Sequence, residues 1–178
     1  MMSKKTIIIV ICFIVVIAAG ILYTSDTFGV SASNIEKDAR KSHKIDNTWA
    51  VSKSICDKIG AMIFYNDSRD MCTTSIYIKR EGLSFGYFFL HGGAINGVNG
   101  VFDGILEYTL PDPYAANGTV LFSLNFDRVT RIQLDNGVNI TNISIDPNNP
   151  FIAVIPTNPG SVTLFNDEGR IIPINPMH

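Results

Sequence analysis

The chain has 178 residues, and 17% of them are charged, against about 25% in an average soluble protein. Its formal net charge is −2, and with Lys4, Lys5 and Asp26 set aside the body carries 12 basic and 15 acidic residues, so no basic field exists to attract nucleic acid. Once a targeting segment is removed, the remaining length suits one domain with its own core.

Lys4 and Lys5 precede an uncharged run from Ile7 to Tyr23, IIIVICFIVVIAAGILY. A bilayer span takes roughly 17–25 residues, whereas a signal-peptide core takes about 7–15. The run has no polar face, which argues against a buried helix of a globular protein. Residues 1–32 are therefore read as a retained membrane anchor, with secretion after cleavage near Ala32, in Val30-Ser31-Ala32, as the alternative. Cys12 is a poor lipoprotein cysteine because the bulky Ile11 precedes it. The Lys4-Lys5 flank favours a cytoplasmic N-terminus, so the expected arrangement is a single-pass protein of the cell membrane with its domain outside. Lys37, Arg40, Lys41 and Lys44 argue the other way, from a distance at which the rule weakens. A pilin-type segment would need a Gly-Phe processing step and an early Glu, and the sequence carries neither.

Residues 33–46 read as a short helical stalk. Ser33-Asn34-Ile35-Glu36 fits a capping box, and the charged helix that it opens runs to about Lys44, exposed to solvent. A second helix is predicted from about Thr48 to Ile59, where Val51, Ile55 and Ile59 recur every four residues and Gly60 is placed to close it.

The texture changes at Ala61, and within residues 47–178 the predicted fold is mainly β, an antiparallel sandwich or small barrel. Ala61–Tyr65 and Thr73–Arg80 are set to pair across NDSRDM. Leu83–Leu90 alternates, with Phe85, Tyr87 and Phe89 on one face and Phe88 on the other. The glycine-rich stretch HGGAINGVNG follows. Ile105–Leu110 and Thr119–Asn125 flank PDPYAANG. Val129–Leu134 meets Asn136-Gly137, a strong signal for a tight hairpin in which both turn residues take positive φ, leading into Val138–Ile145. Phe151–Ile155 turns at PTNPG into Ser161–Asn166, and Asp167-Glu168-Gly169 turns into Arg170–Ile174.

The C-terminal run VTRIQLDNGVNITNISIDPNNPFIAVIPTNPGSVTLFNDEGRII resembles the ends of small envelope-anchored proteins of Gram-positive bacteria, which pair an N-terminal span with a strand, an NG turn and a final "FxDxxGxII"-like hairpin. The resemblance implies an envelope location and a β-rich outer domain; it carries over no functional residue.

Several patterns suggest chemistry. Gly82-Leu83-Ser84-Phe85-Gly86 spells the nucleophile-elbow pattern, and His91-Gly92-Gly93 the oxyanion loop of α/β-hydrolases. The order of the two is reversed, the only later histidine is His178, and Ser84 lies in a strand pattern with no helix after it. His43, His91 and His178 are scattered, and no paired metal-ligand spacing exists. Asp103-Gly104, Asp135-Asn136-Gly137 and Asn166-Asp167-Glu168-Gly169 look like calcium fragments but lack the alternating ligands and closing Glu of an EF-hand; turns demand the same residues. No cofactor, metal or catalytic residue is assigned. Asn66, Asn117, Asn139 and Asn142 begin N-x-S/T sequons, which matter only in a eukaryotic secreted protein.

Two features carry expectations. Cys56 and Cys72 form an even pair in an exported body and are predicted to make a disulfide. The aromatic stretch offers a binding surface at Phe85, Tyr87, Phe88 and His91 if one of its faces is exposed. The function expected is a non-catalytic binding or structural module of the cell envelope, in contact with the membrane and with an envelope protein or glycan. The alternatives are an inhibitor or immunity protein that captures one secreted partner, and a small envelope hydrolase using carboxylates such as Asp103 and Glu107.

Overall fold

A computed structural model describes residues 4–24, 27–82, 84–95 and 104–176. α1 (Lys4–Thr24) contains the predicted apolar run, and by length and composition it is able to cross a membrane. α2 (Ile35–His43) follows a single 3-10 turn at Ala32–Asn34. The expected capping box does not form. Asn34 holds the N-cap position without a side-chain bond, and Glu36 instead pairs with Arg40 at 3.1 Å and Lys53 at 2.9 Å. Nor is α2 a solvated stalk. Ile35 and Ala39 are wholly buried against the sheet beneath.

Among the described residues, twelve strands form three four-stranded sheets. The first is an antiparallel meander of β1 (Ala50–Ile55), β2 (Ile59–Tyr65), β3 (Cys72–Ile78) and β4 (Phe88–Ile95), in that order. β1 replaces the predicted second helix. Val51, Ile55 and Ile59 match a helical spacing by coincidence: Asp57-Lys58 is a turn, and Val51 and Ile55 lie opposite Phe64 and Gly60 in the hairpin. β-branched residues fit a pleated surface, and here the tertiary pairing decides.

The second sheet has the order β12-β5-β6-β9, built from β5 (Ile105–Thr109), β6 (Thr119–Ser123), β9 (Phe151–Ile155) and β12 (Ile174–Pro176), the last parallel to β5. The third has the order β11-β10-β7-β8, from β7 (Val129–Asp135), β8 (Ile140–Ser144), β10 (Ser161–Asn166) and β11 (Ile171–Ile172). The hairpins expected across NDSRDM and DEG are present. β7 and β8 pair as expected, but their connection is Asn136–Asn139, not a two-residue turn. Gly137 alone has positive φ there (81°), while Asn136 Oδ1 accepts from the Val138 and Asn139 amides. The side-chain acceptor closes the longer loop without forcing Asn136 into the left-handed region.

Among the described residues, three apolar clusters join these layers. Met62, Phe64 and Tyr77 of the first sheet pack with Ile35 and Ala39 of α2. From its other face Ala61, Ile63, Ile76 and Ile78 meet Val120, Phe122 and Ile152 of the middle sheet. The middle sheet's opposite face, with Leu121, Phe151 and Ala153, packs on Ile132, Leu134 and Leu164 of the last. A strand buried on both faces reads as a continuous apolar run, as β2 (IGAMIFY) and β9 (FIAVI) do. β1 and β9, edge strands of neighbouring sheets, run close together, and the Ser52 hydroxyl donates to the Pro150 carbonyl at 2.6 Å.

Candidate functional site

The structure divides the predicted aromatic surface. Phe85 and Tyr87 do not extend β4. Each makes an isolated bridge to the segment leading out of α1, Phe85 to Phe28 and Tyr87 to Val30. Gly86, at φ 91°, breaks the alternation between them, and a bulge opposite Ile76 and Tyr77 shifts the register of β4. Phe85, Tyr87 and Phe89 therefore do not share one environment. Tyr87 is buried, and its hydroxyl donates to the Cys56 carbonyl at 2.7 Å, which removes it from the expected binding surface. Burial of its ring raises the phenol's pKa.

Phe85 is exposed and stacks on an equally exposed Phe28, ring centroids 5.6 Å apart. Backbone bonds hold this pair: the Phe85 amide donates to the Thr27 carbonyl at 2.8 Å and the Gly29 amide to the Phe85 carbonyl at 2.6 Å. Phe88 is half-buried beneath the Arg80 guanidinium, 4.2 Å from its ring centroid, and the Lys79 ammonium lies 5.1 Å from the Tyr87 ring. The bulge places the exposed Phe89 and His91 on opposite faces of β4: Phe89 meets the edge of Tyr77 on the α2 side, and His91 stacks on Tyr108 at 4.5 Å on the side of the middle sheet. β4 is an edge strand and has no second partner strand among the described residues.

The groups that suggested catalysis are engaged elsewhere. The Ser84 hydroxyl donates to the Arg80 carbonyl at 2.6 Å, while His91 lies flat on Tyr108. Glu107 lines a cavity of about 130 Å³ with Thr119, Leu121, Ile155 and Thr157, and is its only carboxylate among the described residues. Asp103 and His178 lie outside the described residues. The carboxyls that the structure perturbs, Glu36, Asp46, Asp70 and Asp146, are all held below the usual range. The Lys53 side chain does this for Glu36, the Thr48 amide for Asp46, the Asn66 side chain for Asp70 and the Asn148 amide for Asp146. A general acid needs the opposite shift. No group of three or more His, Cys, Asp or Glu side chains able to hold a metal occurs among the described residues.

The predicted disulfide is contradicted: Cys56 and Cys72 are free thiols, the first exposed and the second buried. Cys56 follows β1, its amide donating to the Ile59 carbonyl, and Cys72 opens β3 opposite Tyr65. The length of β2 separates them, seven residues at about 3.3 Å each, far beyond the roughly 7 Å between Cα atoms that a disulfide tolerates.

No protein-family model, curated protein or solved structure matches this chain. Sequence reasoning missed Phe28. The short stretch Thr27-Phe28-Gly29-Val30 reads as the approach to a cleavage site, and nothing local announces its pairing with residues 85–87.

Proposed function

We propose that this chain is a membrane-anchored protein whose β domain is displayed outside the cytoplasm as a non-catalytic binding or structural module of the cell envelope. The observation that carries the reading is α1, a helix that carries no charge after Lys5 and has an unburied apolar surface, joined within a few residues to a β domain that has its own cores. The basic pair at the start of that helix favours the exported orientation. The engagement of Ser84 and His91 in structural contacts supports a non-catalytic role, and the resemblance of the C-terminal run to envelope-anchored proteins of Gram-positive bacteria agrees with the location.

Alkaline phosphatase fused after His178 tests the orientation. An active fusion is expected; an inactive phosphatase together with an active cytoplasmic reporter at the same place reverses it. A second reading, capture of one secreted protein, is favoured by β4, an edge strand with no second partner among the described residues, where an extended segment would add a strand next to the exposed Phe89. Crosslinking from position 89 in membranes, followed by mass spectrometry, separates a single stoichiometric partner from none.

A further inference from the structure

We infer that the β domain does not hang on a free tether but rests on the bilayer through a foot formed by Phe28, Phe85 and Phe88 with Lys79 and Arg80. The inference deepens the reading of α1 as a retained membrane anchor and rests on it.

Chain length supplies the first argument. α1 has 21 residues, and at ~1.5 Å per residue it spans about 31 Å, the thickness of a hydrocarbon core of ~30 Å. Thr24 then lies at the edge of the hydrocarbon. Thr27 is already buried in the domain, and its carbonyl accepts from Phe85. The Cα atoms of Thr24 and Thr27 are at most about 11 Å apart, three residues at ~3.6 Å. The headgroup layer is itself roughly 5–8 Å thick on each side. Even with the chain fully extended, Thr27 reaches no more than about 3–6 Å beyond the headgroup layer, so the part of the domain that carries residues 27–30 and 85–88 is held at the membrane surface.

Chemistry supplies the second. Phe28 is 59% exposed and Phe85 54% exposed. The Phe85 backbone is bonded to Thr27 and Gly29, on either side of Phe28, and the two rings are stacked, so a rigid pair of apolar rings is exposed at the point where the chain leaves α1. Aromatic rings with cations beside them are at home at the membrane interface, where the ring meets acyl chains and the cation meets phosphate. Arg80 over Phe88 and Lys79 over Tyr87 have that arrangement. Counting the neighbouring Lys58, Asp57 and Glu81, the local surface is cationic by one charge. The rings, more than the charge, carry the attachment.

The test uses the full chain in phosphatidylcholine nanodiscs doped with lipid brominated near the top of the acyl chain. Trp49 is the only tryptophan, so Trp49→Phe gives a dark background into which Phe85→Trp or Val138→Trp is placed. Val138, 85% exposed, lies between β7 and β8 of the sheet remote from the foot and serves as the control. Emission from the Phe85→Trp protein is expected to shift blue and to fall by roughly half with brominated lipid, as for interfacial tryptophan, while the Val138→Trp protein stays unquenched. Co-elution with nanodiscs but equal, weak quenching at both positions overturns the foot and leaves the anchor standing. Failure to co-elute with nanodiscs overturns the anchor and the foot with it.

Discussion

The Tyr77 hydroxyl donates to the Asp38 carboxylate at 2.7 Å, tying the first sheet to α2 beside the buried Ile35 and Ala39. Hydrogen bonds to charged groups contribute about 1.5–3 kcal/mol, less where solvent reaches them, as here. Tyr77→Phe is therefore expected to lower stability by about 1–2 kcal/mol, and Asp38→Asn by less because an amide still accepts. Urea denaturation of both variants and of the double variant checks this; additive losses would show that the two groups are not coupled. Burial first, then the Asp38 bond, raises the phenol's pKa. A raised folded pKa means that this stability is complete below the unfolded phenol's pKa of about 10 and fades as pH rises above it. A denaturation series taken to alkaline pH should show the wild type losing stability there and Tyr77→Phe losing less.

Asn125 holds the junction after β6. It is 2% exposed with φ 61°, its Oδ1 accepts from the Val129 amide at 2.7 Å, and its Nδ2 faces the carbonyls of Val129, Asp146 and Asn149. Asn125→Gly keeps the backbone conformation but strands these partners, at a cost of about 2–3 kcal/mol; Asn125→Ala adds left-handed strain of about 1 kcal/mol more. Asn125→Asp turns a carboxylate toward carbonyl oxygens and should be worse at neutral pH than at low pH. Thermal unfolding of the three variants ranks them.

These two residues show what the sequence discloses and what it withholds. Strands of the last third were legible because turn residues bracket apolar runs: Asn136-Gly137, PTNPG and Asp167-Glu168-Gly169 stand where β7, β8, β10 and β11 turn. β1 stands where the spacing predicts a helix because three apolar residues at four-residue spacing satisfy a helix while their neighbours satisfy a strand, and only the pairing with β2 decides. The stacking of Phe28 on Phe85 joins segments far apart in the chain, so no local pattern could announce it. The same holds for Asn125, which looks like one more polar residue at a strand end until its acceptors from residues 146 and 149 arrive.

Gly160 is the tightest point of the turn between β9 and β10. Its φ is 75°, and a Cβ there would run into the Asp135 carbonyl oxygen and the Asn136 Cα, both backbone atoms with little freedom to move. Gly160→Ala is expected to destabilise the domain by about 3 kcal/mol, a value reached only where strain and a steric clash combine. Gly137→Ala is the comparison: its φ is 81° but nothing lies within 4 Å of the added carbon, so the loss should be nearer 1 kcal/mol. Equal losses in chemical denaturation would refute the clash.

The cysteines give the last prediction. Cys72 is 3% exposed in the core shared by the first and middle sheets, and burial pushes its thiol up to about 11. Thiolate is the reactive form, so Cys72 should resist alkylation at neutral pH for as long as the fold holds. Cys56 is exposed between β1 and β2 and should react at once. With Cys12 replaced by Ala, so that only the domain thiols remain, a maleimide reagent should add once to the native protein and twice after denaturation. Mass spectrometry of the non-reduced protein should find neither cysteine oxidised to the other. Cys72→Ser places a hydroxyl in an apolar cluster and should cost about 1–3 kcal/mol, whereas Cys56→Ser should change stability by less than about 0.5 kcal/mol. Two rapidly alkylated thiols in the native protein would mean that the β2–β3 hairpin opens in solution. A non-reduced species carrying a Cys56–Cys72 link would mean that the register placing Cys72 opposite Tyr65 is wrong.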